Sequence, residues 1–188
     1  MSDLRALRRG PLDGVALPST VAAAVTIVPA TSRFILRGAA DAAAAASAAF
    51  GVSLPACLNR ADGARRTVIM LGPDEWLLLA EGEDATVIVH TLEAAMSALP
   101  HSLVDVSHRQ VGVTIKGQQA ALVLSSGCSL DLRASAFPIG MATRTLFHKS
   151  EIILWRQAED RFGIEVWRSF APYVIGHIEA ARDAAGDI

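Results

Sequence analysis

Lysine is nearly missing from this chain: Lys116 and Lys149 are the only two among 17 cationic residues. With 19 acidic residues the formal net charge is −2. No basic field is available to neutralise a phosphate backbone, so nucleic acid is not an expected partner. Cysteine is as scarce. Cys57 and Cys128 form no Cys-x-x-Cys pair, and His90, His101, His108, His148 and His177 include no i, i+4 pair, so no metal site is expected. Long apolar runs are lacking too. The tract "AAAAASAAF" falls short of the roughly 20 residues that cross a bilayer, and "MSDLRALRRGPLDG" has no apolar core of a signal segment. A reduced, cytoplasmic location without membrane contact is the expectation. Neither Gly-x-Gly-x-x-Gly nor a Walker lysine occurs, so no nucleotide or flavin fingerprint is present and no cofactor is expected in this chain.

What is present is apolar: 52% of the 188 residues are hydrophobic, enough to bury a proper core. Residues 1–20, with "RRGPLDG" and "ALPST", lack periodicity and read as an arm, loose or laid against a partner. Residues 21–188 read as one domain of two similar halves, about 21–100 and 101–188. "FILRGAADAAAAASAAFGVSL" and "VTIKGQQAALVLSSGCSL" each give a strand, a Gly turn, a small-residue helix and a Gly stop. "TVIMLGPDEWLLLAEGEDATVIVHTLEAAM" parallels "EIILWRQAEDRFGIEVWRSFAPYVIGHIEAA", each being two β-rich runs, an acidic turn and a helix. Placing Gly38 on Gly117 and His90 on His177 aligns them. The unit is β-α-β-β-α, twice, with "HSLVDVSHRQ" as the link. The fold class is therefore α+β, with helices outside antiparallel or mixed sheets.

Local chemistry supports this. Residues 39–49 are almost all alanine, Asp41 suits the first helical turn, and Gly51 marks the stop. In "RFGIEVWRSFAPYVIGHI", Phe162, Ile164 and Val166, continued by Arg168, fall on one strand face, with Gly163, Glu165 and Trp167 on the other. Ser169 can cap the next helix, Pro172 is tolerated in its first turn, and Val174, Ile178 and Ala181 form its buried stripe. Ser125-Ser126-Gly127-Cys128 reads as a small-residue helix end rather than a nucleophile, since no base lies nearby. Asp105-Val-Ser-His108-Arg109 has two readings, acid–base chemistry beside a histidine or a turn folded back on its own backbone.

The blocks "LGPDEWLLL", "DVSHRQVGVTIKG", "SSGCSLDLRASAFPIGMATRTLFHKSEIILWR" and "EVWRSFAPYVIGHIEAA" occur in order and together resemble the gamma subunit family of heterotetrameric sarcosine oxidases. That family is similar in turn to the folate-binding domain of the glycine-cleavage T-protein, a duplicated α+β unit. The resemblance implies a complex that oxidatively demethylates sarcosine to glycine, producing peroxide and methylene-tetrahydrofolate. FAD, FMN, NAD and tetrahydrofolate would be held by partner subunits, and the partners would be alpha, beta and delta chains. Gamma has no assigned chemistry, so the implied role is non-catalytic, in assembly and stability. Ser150-Glu151 stands where T-proteins carry Asp-Asp, a departure that argues against folate turnover here.

An assembly role predicts exposed aromatic and arginine anchors, and Trp155, Trp167, Arg168, Phe170 and Tyr173 are the candidates. The alternative is a stand-alone tetrahydrofolate-binding protein, which would need Asp105, Arg144 or Glu151 facing a pterin-sized cavity. The gamma chain leaves open whether the parent complex uses sarcosine or another N-methylated amino acid.

Overall fold

A computed structural model describes residues 10–15, 17 and 23–186. Strands β1 (Ala24–Ile27) and β2 (Thr31–Gly38) lead into helix α1 (Ala40–Phe50), then β3 (Arg60–Asp62), β4 (Arg66–Gly72), β5 (Glu75–Glu81) and α2 (Ala85–Met96). The second half follows as β6 (His101–Asp105), β7 (Gln110–Lys116), α3 (Ala120–Ser125), β8 (Ala142–Phe147), β9 (Ser150–Ala158), β10 (Arg161–Trp167) and α4 (Ala171–Gly186). Every strand pairing is antiparallel.

Two five-stranded sheets result, ordered β3-β4-β5-β2-β6 and β8-β9-β10-β7-β1. The orders match position by position, so the duplication read in the sequence is a duplication in space. The expected unit was one strand short. Each β-α-β-β-β-α core is preceded by a strand that crosses to the other sheet: β1 pairs with β7, Ala24 opposite Lys116, and β6 pairs with β2, Gly38 opposite His101. The first half of the supposed link "HSLVDVSHRQ", His101–Asp105, is thus strand β6. This exchange ties the halves together, because separating them would break a ladder in each sheet.

The layers explain the apolar runs. Phe34, Leu36, Val68, Met70 and Leu78 face α1 and α2, while Val113, Ile115, Leu154, Phe162, Ile164 and Val166 face α3 and α4. Between the sheets lie Ile69, Leu71, Leu77, Leu79, Ile153 and Trp155. A strand with a helix layer on one side and a sheet on the other is apolar on both faces, so "TVIMLG" and "WLLLA" lose the alternation of a half-exposed strand.

The helix ends follow their local chemistry. Gly51 ends α1 with φ of 74° and donates its N–H to the Ser47 carbonyl at 3.0 Å. Gly51→Ala is expected to cost about 1 kcal/mol through left-handed strain, read as a small shift in a urea midpoint at unchanged slope. Helix α4 begins at Ala171, which puts Phe170 rather than Ser169 before its first residue. Pro172 sits in the first turn, and Val174, Ile175 and Ile178 are buried, with Ala181 packed against them. Leu12, from the expected arm, is buried in the α3–α4 core, so this part lies against the chain's own interior. The rest of residues 1–20, apart from those named above, lies outside the described residues.

Candidate functional site

The inner faces of the sheets carry the chain's most unusual polar contacts. From β2, Arg33 reaches Glu165 on β10, with Nε donating to Oε2 at 2.7 Å and Nη2 to Oε1 at 3.0 Å. Arg33 is 5% exposed and Glu165 2%. Nη1 also donates to the Thr31 carbonyl at 2.8 Å. Burial pushes the Glu165 carboxyl above the usual carboxylate range, and the Arg33 guanidinium opposes that push. Gly112 on β7 makes the approach possible, since a Cβ there would lie 2.8 Å from Glu165 Oε1 and 2.9 Å from Arg33 Nη2. The pair was invisible in the sequence, where its members are far apart.

Trp155 corrects an expectation. The sequence suggests an exposed anchor, yet Trp155 is 4% exposed inside the inter-sheet core and covers Gly163, its partner across β9 and β10. The other aromatic candidates are exposed: Trp167 at 42%, Phe170 at 46% and Tyr173 at 37%. They follow one another along the end of β10, the turn and the first turn of α4. Arg168 is exposed and lies in the turn beyond the strand, off the face assigned to it, its N–H bound to the Arg109 carbonyl at 2.8 Å. The Arg109 guanidinium lies 5.0 Å over the Trp167 ring. Tyr173 stacks edgewise on His177 at 4.4 Å, and His177 meets His148 at 4.3 Å, which fastens α4 to the β8–β9 turn.

At the same end the sheets part into a cleft of about 240 Å³ lined by Ile35, Glu75, Val104, Arg109, Arg144, Glu151 and Trp167 among others. Arg144 donates to Glu75 Oε1 at 2.8 Å and lies 3.9 Å from Glu151 Oε1. The structure therefore brings together Arg144 and Glu151. Asp105 is elsewhere: it accepts from the Ser107 N–H at 2.8 Å and the Ser107 hydroxyl at 2.5 Å. That is the turn reading of Asp105-Val-Ser-His, and Ser107 Oγ accepts the Arg33 N–H at 3.0 Å in addition. A second cleft of about 160 Å³ occupies the equivalent place on the other half, between the start of β4, the end of β5 and the strands β9 and β10. Among the described residues no group of three or more His, Cys, Asp or Glu side chains could hold a metal, and no helix is long and apolar enough to cross a membrane.

A family model described as "Sarcosine oxidase, gamma subunit family" matches residues 37–184. The chain belongs to that family. A sarcosine oxidase subunit gamma from Corynebacterium sp. (strain U-96) is 33% identical over 186 residues, 93% of this chain and 90% of the relative. One from Arthrobacter sp. is 33% identical over 118 residues, 62% of this chain and 57% of the relative. A chain of the heterotetrameric sarcosine oxidase from Corynebacterium sp. U-96, solved with pyrrole 2-carboxylate, superposes with a TM-score of 0.87 at 30% identity, covering 95% of this chain and 96% of that one. The glycine cleavage aminomethyltransferase T of Bartonella henselae superposes with a TM-score of 0.62 at 15% identity, covering 87% of this chain and 50% of that one. This second likeness concerns the fold alone. For a gamma-family chain, the T-protein-like fold and the antiparallel option of the expected architecture are both met.

Proposed function

We propose that this chain is the gamma subunit of a heterotetrameric sarcosine oxidase and acts without chemistry of its own, by holding the complex together. Its partners are the alpha, beta and delta subunits, which carry FAD, FMN, NAD and tetrahydrofolate, and the complex works in the cytoplasm on sarcosine or a related N-methylated amino acid. One observation carries the reading. Trp167, Phe170 and Tyr173 stand uncovered in sequence along a single strand-to-helix junction, with Arg109 over the Trp167 ring. Tyr, Trp and Arg are the residue types that concentrate binding energy at interfaces. The matching junction of the first half, Glu81 to Asp84, has no aromatic residue, so the duplicated scaffold has specialised one of two equivalent corners.

The test is co-expression of all four subunits. Trp167→Ala with Phe170→Ala is expected to lower recovery of the chain in the complex at least about tenfold, since each anchor contributes on the order of 2 kcal/mol. The melting temperature of the isolated chain should stay near wild type, both side chains being exposed. Stoichiometric recovery of the double variant would place the anchor elsewhere, and a wild-type chain that never co-purifies would sink the reading itself.

A further inference from the structure

At the open end of the sandwich the inner faces of both sheets run on past the point where they cover each other. Val104 lies beside Ile35 in the ladder, Leu146 follows Ala142 and Arg144 at two-residue steps on β8, and Trp167 follows Gly163 and Glu165 on β10. Ile35, Ala142 and Glu165 all face the other sheet. By alternation Val104, Leu146 and Trp167 belong to the same inner surface, yet they are 50%, 56% and 42% exposed. Three apolar side chains built for an interior are therefore exposed, Val104 and Trp167 lining the cleft and Leu146 lying beyond it.

Arg144 in this cleft is paired with Glu75 and lies near Glu151, whereas Arg109 is not matched. Arg109 has no carboxylate within ion-pair distance among the described residues; its guanidinium rests on Trp167 at 5.0 Å. The cleft, at about 240 Å³, is smaller than the roughly 300–1,000 Å³ of small-molecule sites, while its apolar rim extends beyond it to Leu146.

We propose that this end of the sandwich receives an extended segment of another oxidase subunit that bears an apolar side chain beside a carboxylate. The apolar group covers Val104 and Trp167, and the carboxylate pairs with Arg109. This inference rests on the proposed role in the complex and names the chemistry of what is bound.

Two experiments on the co-expressed complex test it. Val104→Asp and Arg109→Glu each lower recovery of the chain in the complex at least about tenfold, whereas Arg109→Lys, which keeps the charge, stays within about threefold of wild type. Recovery of both Val104→Asp and Arg109→Glu at wild-type stoichiometry overturns the proposal. The second experiment uses unmodified protein, so folding of a variant cannot blur it: covalent surface labelling of Val104 and Leu146 falls at least about fivefold between the free chain and the complex. Equal labelling in both states overturns the proposal even if Trp167 and Phe170 remain essential. A wild-type chain outside the complex instead removes the reading beneath it.

Discussion

Arg33→Ala is expected to destabilise the chain by about 3–5 kcal/mol, because it leaves the Glu165 carboxylate buried without its partner. A loss of that size is a large share of the 5–15 kcal/mol that holds a typical domain together. The dependence on pH identifies the cause. In the native state burial raises the Glu165 carboxyl above its ordinary range, so the folded chain holds this proton more readily than the unfolded one. The group's contribution is then full below the ordinary carboxylate range and falls as pH climbs through the raised value. Removing Arg33 removes the opposing influence, so the rise becomes larger and the decline continues to higher pH. The deficit of Arg33→Ala should accordingly be smallest in acid and grow toward neutral pH, measured by urea unfolding across that range. Adding Glu165→Gln to Arg33→Ala should flatten the dependence. A deficit that does not vary with pH would show that Glu165 is not the stranded charge.

The second large effect lies at the centre of the inter-sheet layer. Trp155→Ala empties an aromatic site that is 4% exposed and should cost about 3–5 kcal/mol. Gly163→Ala errs in the other direction. Its new Cβ would sit 2.2 Å from two atoms of the Trp155 ring, and overpacking of this kind costs roughly 1–3 kcal/mol or more as the ring is displaced. The two changes touch the same space. The double variant should be more stable than the sum of the single losses predicts, since the alanine methyl enters volume that the indole has vacated. A double-mutant cycle in urea checks this, and additivity within about 0.5 kcal/mol would falsify the claim that Gly163 is there for Trp155.

These sites were legible in the sequence to different degrees. Alanine density and Gly51 were sufficient for α1, because both depend on local dihedral preferences. Trp155 misled, since an aromatic residue in a β-rich run looks the same whether it faces solvent or a second sheet. Glu165 gave a weak signal: an acid on the face opposite Phe162, Ile164 and Val166 reads as solvent-facing by alternation. Alternation reports only that two faces differ, and here the polar face meets Arg33 from the other sheet.

By itself the sequence determined the family, the duplicated α+β plan, the outer helices and the aromatic character of the β10–α4 junction. All of these follow from short-range periodicity, turn chemistry or blocks of residues in order. The exchange of β1 and β6 between sheets, the Arg33–Glu165 pair, the burial of Trp155 and the uncovered inner face at Val104 and Leu146 were decided only by the tertiary structure. Each depends on which surfaces meet across the sandwich. That is settled by the free energy of packing whole layers together, which no single stretch of chain contains.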